Sequence, residues 1–146
     1  QIKVYDYDAT ARSWVQRGLP LFDDAPAETS SVALSNDGRV VAGGFSLADP
    51  NGITNADTVV VYRWEDSTQQ WAQDFTVSSG QTLTNLGESI DLSADGTRMI
   101  VGTSITANRF GYFRVYQRST PGVWTQQGPS KFGQFRGDKF GERVSM

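Results

Sequence analysis

The polar stretch from Ala48 to Asp57 brings Asp49, Asn51, Asn55 and Asp57 close together along the chain. Side-chain oxygens at this density suit a hard cation such as calcium, which takes about six to eight of them. Their spacing follows no established calcium loop, so these four residues read as a candidate ligand-binding loop without a metal. The equivalent later stretch, Ser104 to Gly111, has no carboxylate. Asp6 with Asp8, and Asp23 with Asp24, pair acids as glycoside hydrolysis requires. Neighbouring acids in turns are ordinarily solvated, and no catalytic role is expected of them. A serine nucleophile needs a base, and the chain contains neither His nor Cys. The expectation is no enzyme activity, no catalytic residues, no bound metal and no cofactor.

Lys131, Arg136, Lys139 and Arg143 alternate with Phe132, Phe135 and Phe140 near the end of the chain. Basic residues between aromatics are the pattern of single-strand stacking. A net charge of -3 argues against nucleic acid as a partner, and the three phenylalanines are expected to enter the core. The charge is uneven. Residues 1–108 carry 6 Lys and Arg against 14 Asp and Glu, a net of -8, while residues 109–146 carry 7 against 2, a net of +5. That contrast raises electrostatic contact between a basic tail and an acidic neighbour.

Strands and turns must position all of these groups. Leu86–Gly102 reads as two short strands joined at Asp95-Gly96, because Gly accepts the positive φ such turns demand. Ile90 and Leu92 alternate with polar neighbours, whereas Met99, Ile100 and Val101 run apolar, as in a strand covered on both faces. An earlier copy stands at Ser31–Gly43 around Asp37-Gly38, and the start of a third at Phe140–Ser145.

Other landmarks recur in the same order. Tyr5, Tyr62 and Tyr116 close apolar strands at separations of 57 and 54 residues. Trp14, Trp71 and Trp124 follow at 57 and 53, each with Gln two places on. Asp37 and Asp95 are 58 apart, and Gly87 and Gly141 are 54 apart. The middle unit reads as four strands, near Ser31–Ser35, Arg39–Gly43, Thr58–Trp64 and Gln70–Thr76. Val59 and Val61 mark one apolar face of the third strand and Tyr62 the other. The recurring Trp is expected to anchor an outer strand across the junction between units.

About four antiparallel strands per 50-odd residues is the signature of a propeller blade. The fold class expected is all-β, a β-propeller segment of about two and a half four-stranded antiparallel blades. Residues 1–30 hold the third and fourth strands of a partial blade plus a linker. Residues 31–84 form a complete blade, 85–130 a second, and 131–146 the first strand of a further one. Since rings close with about four to eight blades, the polypeptide is expected to extend beyond Gln1 and Met146, or to have other subunits cover both ends. No run of about 18 apolar residues occurs, so no membrane insertion is expected in this stretch.

Asp138-x-Phe140-Gly141-x-x-Val144, the Val/Ile-x-Leu-Ser-x-Asp-Gly pattern, and Ala42-Gly43-Gly44 or Val101-Gly102-Thr103 resemble the FG-GAP repeat of integrin α-type propellers. Repeats with Trp-x-Gln after a Val-Tyr strand are similar to those of secreted algal and protist proteins. The resemblance implies a non-enzymatic scaffold for protein or glycan binding and adhesion, extracellular or at the cell surface. Its alternatives are a structural repeat of an extracellular filament or coat, or the non-catalytic part of a larger enzyme. The family's calcium loop between first and second strands is not carried over, because Asn36-Asp37-Gly38 and Ala94-Asp95-Gly96 each supply one carboxylate. The Phe-Gly pair is intact only at Phe140-Gly141, and the Ala-Pro ending is absent. A sialidase-type Ser-x-Asp-x-Gly-x-x-Trp box is not matched either, since Ser93-Ala94-Asp95-Gly96 lacks the spacer before Gly.

Overall fold

Two hairpins of one design organise the chain. Ser35 and Ser93 donate their hydroxyls to Asp37 and Asp95 at 2.6 Å, and each carboxylate also accepts the amide two residues on, Arg39 or Thr97, at 3.0 Å. Gly38 and Gly96 take φ of 66° and 63°, which an L side chain adopts only with strain. The computed structural model describes residues 1–22, 28–46, 56–82, 84–105 and 110–146.

The described residues form strands and turns without a helix. The strands are β1 (Tyr5–Asp8), β2 (Ser13–Gln16), β3 (Glu28–Leu34), β4 (Val40–Ser46), β5 (Ala56–Glu65), β6 (Gln70–Thr82), β7 (Ser89–Leu92), β8 (Arg98–Thr103), β9 (Tyr112–Thr120), β10 (Val123–Gln126) and β11 (Lys131–Phe132). All pairings between them are antiparallel. β1 and β2 make a two-stranded sheet, and β3-β4-β5-β6 a four-stranded one in sequence order. β7-β8-β9-β10 repeat that order, with β11 added on β9. Among the described residues no helix is long and apolar enough to cross a membrane.

The central sheet is apolar on both sides, as a sheet covered on both faces must be. Val40, Ala42, Val59 and Val61 join one core with Leu86 and with Ile90, Met99 and Val101 of the β7–β10 sheet. Val41, Phe45 and Val60 join another with Ile2 and Leu21 beside β1 and β2. Val59 and Val61 are fully buried, and burial of such a side chain contributes about 1.5–3 kcal/mol. Gly87, at φ 88°, brings its carbonyl so close to Gly44 that a Cβ on Gly44 would lie 2.1 Å from the oxygen. Gly141 stands in the same relation to Gly102, at 2.2 Å.

The outer strands differ for a local reason. β10 and β11 both pair with β9, at Tyr116–Thr120 and Tyr112–Phe113, with a break between them at Gly128. Ile2 and Leu21 form a matching bridge beyond β1–β2, with the break at Gly18. Four residues after its Trp, the central sheet has Phe75 in place of that Gly, and β6 runs on unbroken.

Several boundaries shift from the sequence reading. Lys131 and Phe132, assigned to a further unit, pair with β9 instead. Arg143–Ser145, expected as a first strand, holds no strand, although the Val144 amide donates to Ser89 Oγ at 3.0 Å. The expectation that Phe132 and Phe135 enter the core does not hold: they are 53 % and 71 % exposed. Asp138 accepts the amides of Gln134, Phe135 and Phe140, folding 134–140 into a turn that carries Phe135 outward. Phe140 does pack, against Phe113.

Candidate functional site

Asp49, Asn51 and Asn55 lie outside the described residues. Asp57, the fourth member of the proposed loop, sits in β5 and is buried. Its Oδ2 accepts the Thr84 hydroxyl at 3.0 Å, and its backbone carbonyl accepts Ser78 Oγ at 3.3 Å. The Thr103 hydroxyl in turn donates to the Thr84 carbonyl. Asp57 therefore closes a polar chain that ties the start of β5 to the end of β8. Buried polar groups of this kind hold position because an unmade hydrogen bond there is costly.

The chain ends at a hollow that sequence reasoning missed. Glu88, Ser104, Ile105, Gly137, Lys139 and Glu142 line a space of about 410 Å³. Glu88 Oε2 accepts both the amide and the hydroxyl of Ser104, at 2.8 and 2.6 Å. Lys139 Nζ meets Glu142 Oε1 at 3.0 Å, both residues belonging to its lining. Glu88 and Glu142 each follow the glycine of a Leu-Gly or Phe-Gly pair, the one signal that could have grouped them. Two carboxylates and an ammonium around a hollow of this size suit a ligand rich in hydroxyls or carrying both charges.

The other acids singled out in the sequence serve local structure. Asp8 Oδ1 accepts the amides of Thr10 and Ala11 in the β1–β2 turn. Asp6 lies 3.6 Å from Arg17, and Asp23 and Asp24 fall outside the described residues. Asp95 has its pKa lowered to about 2, chiefly by the Ser93 hydroxyl and then by the Thr97 amide and hydroxyl. The Ser35 hydroxyl lowers Asp37 in the same way. Three backbone amides, Phe140 foremost, hold Asp138 below the usual carboxylate range. Among the described residues no group of three or more acids is placed to hold a metal ion.

Two of the three recurring tryptophans bridge sheets as expected. Trp71 Nε1 donates to the Arg17 carbonyl at 2.8 Å, and Trp124 Nε1 to Asp74 Oδ2 at 2.7 Å. Asp74, its side chain 2 % exposed, also lies 3.4 Å from Arg63 and 3.6 Å from Arg118, and accepts the Gly122 amide at 2.9 Å. Trp14 instead is 68 % exposed. A scan against protein-family models finds no match, and a search of curated proteins finds no relative.

Proposed function

We propose that the chain is a β-propeller segment of FG-GAP-like blades, a non-enzymatic scaffold that binds protein or glycan at the surface of a cell or in a secreted protein. The observation that carries the binding reading is the hollow lined by Glu88, Ser104, Lys139 and Glu142. It adjoins the end of β8, where Thr103 connects through Thr84 to Asp57 at the start of β5. Support for the blade reading comes from the strand order common to β3–β6 and β7–β10 and from the two cores flanking the central sheet. The carboxylates of Asp37, Asp57, Asp74, Asp95 and Asp138 are taken up by scaffold hydrogen bonds, which supports binding over catalysis. Loops on a rigid scaffold are where recognition ordinarily sits.

The labelled chain, applied to arrays of glycans and of extracellular protein domains, tests this. Lys139→Ala should weaken capture at least about tenfold, the loss of a charge-assisted hydrogen bond, while leaving thermal unfolding unchanged. Equal capture by the variant would sink the site. Chemical turnover of a captured glycan would sink the non-enzymatic reading.

A further inference from the structure

The hollow beside the end of β8 offers a ligand a restricted set of hydrogen-bonding atoms. Both bonds from Ser104 fall on Oε2 of Glu88, at 2.8 and 2.6 Å, so Oε1 remains to accept from a ligand. Glu142 meets Lys139 through Oε1, so its Oε2 remains as well. Lys139 spends one proton on that contact and keeps the others. An ionised carboxylate accepts and never donates, and an ammonium donates and never accepts.

The backbone holds Lys139 in place. It takes φ of 57°, a region that Asn tolerates and a long side chain rarely adopts. Asn85 holds the corresponding place, two residues before Gly87 as Lys139 is two before Gly141, at φ 50°. The two turns close alike. The Glu88 amide donates to the Asn85 carbonyl at 2.9 Å, and the Glu142 amide to the Lys139 carbonyl at 3.0 Å. Asp138 fixes the second turn by accepting the amides of Gln134, Phe135 and Phe140, on either side of Lys139. A lysine kept at a position suited to asparagine, on the wall of a hollow, is the kind of strain that collects at binding sites.

The donor and acceptor set decides between ligand chemistries. A carboxylate or sulfate could use Lys139 but would face both Glu88 and Glu142. An ammonium or guanidinium could use the carboxylates but would face Lys139. Like charges oppose each of these. Two neighbouring hydroxyls satisfy every group: each donates its proton to a carboxylate, and their lone pairs accept from Lys139. Ile105, 48 % exposed on the same wall, offers an apolar contact to the C–H face of a sugar ring. The volume of about 410 Å³ is at the small end of the range for ligand pockets, about 300–1,000 Å³, which suits a terminal sugar.

We propose that the hollow takes the end of a neutral glycan through a vicinal diol held between Glu88, Glu142 and Lys139, and that it selects against acidic sugars. This rests on the ligand-binding reading above and names its ligand class.

Titration of the isotope-labelled chain with monosaccharides, followed by NMR, tests it. Galactose, glucose, mannose and fucose are the neutral probes, and galacturonate, glucuronate and glucosamine the charged ones. At least one neutral sugar should shift the Ser104 and Lys139 amides, and every charged probe should bind at least about tenfold more weakly than that sugar. Glu142→Gln should melt as wild type does, because an exposed ion pair contributes little to stability. It should weaken the neutral sugar and strengthen the uronates, each about tenfold. A charged probe that binds wild type as tightly as the best neutral sugar overturns the proposal. So does a variant that moves neutral and uronate probes in the same direction. Capture of a protein domain at the hollow, lost in Lys139→Ala, with no sugar bound, overturns the sugar assignment and leaves the binding reading standing. Neither sugar nor protein bound there overturns both.

Discussion

Trp124 reaches across from β10 and donates its indole N–H to Asp74 of β6 at 2.7 Å, while Trp71, at the corresponding place, donates to a backbone carbonyl. A carboxylate in that role draws Arg63 and Arg118 to it. Asp74→Ala leaves the Trp124 indole and the Gly122 amide without their acceptor and removes the carboxylate facing Arg118, while Arg63 keeps Glu65 at 2.5 Å. The expected loss is about 3 kcal/mol, because breaking a buried pair costs more than the pair contributes. Asp74→Asn keeps an acceptor for Trp124 and should lose less. Urea unfolding of both variants checks the order, and equal losses would show that the acceptor kept by Asn is immaterial and the charge decides.

Gly44→Ala sets a methyl group against the Gly87 carbonyl, 2.1 Å away. No rotamer relieves a clash with backbone, so the sheets must part, at about 1–3 kcal/mol. Gly102→Ala, facing Gly141 at 2.2 Å, should behave alike. A melting temperature unchanged in either variant would contradict the close approach.

Gly96→Val places a β-branched residue at φ 63° and drives its Cβ to 2.7 Å from Val40 Cγ2 of the central sheet. Strain alone accounts for about 1–3 kcal/mol. Chemical denaturation reads the loss, and full stability would argue against the turn.

Protonation of Asp95 gives a pH signature. Its folded pKa, about 2, lies below the ordinary value of 3.8, mainly through the Ser93 hydroxyl. The ionised form is thus favoured by folding. Its stabilisation is complete above the unfolded value and is lost as pH falls through about 2. A carboxyl carbon titration followed by NMR should place the Asp95 midpoint near 2. In Ser93→Ala it should rise toward 3.8, and an unmoved midpoint would reject the hydroxyl as the cause.

Elements held by local chemistry were legible in the sequence. The Asp37-Gly38 and Asp95-Gly96 hairpins declare themselves because donor, acceptor and glycine lie within a few residues. Val59–Val61 reads as a doubly covered strand because its apolar run leaves no face for water. Asp74 was not legible, since Arg118, Gly122 and Trp124 reach it from another sheet. The hollow was missed for a similar reason: Glu88, Ser104 and Lys139 are far apart along the chain. Phe135 was misjudged because aromatic character predicts burial, while the three amides caught by Asp138 decide the path of its backbone.

Asp6 and Arg17 stand at the positions that Arg63 and Asp74 occupy in the central sheet, with the charges exchanged, and Gln117 and Gln127 fill them in the third. Strands this similar face a kinetic hazard while the chain folds, because each can be captured by the wrong neighbour. Pairing β1 with β6 would set Asp6 against Asp74, and pairing β2 with β5 would set Arg17 against Arg63. The reversed charges thus act as an address, penalising an exchange of partners that the apolar side chains alone would tolerate.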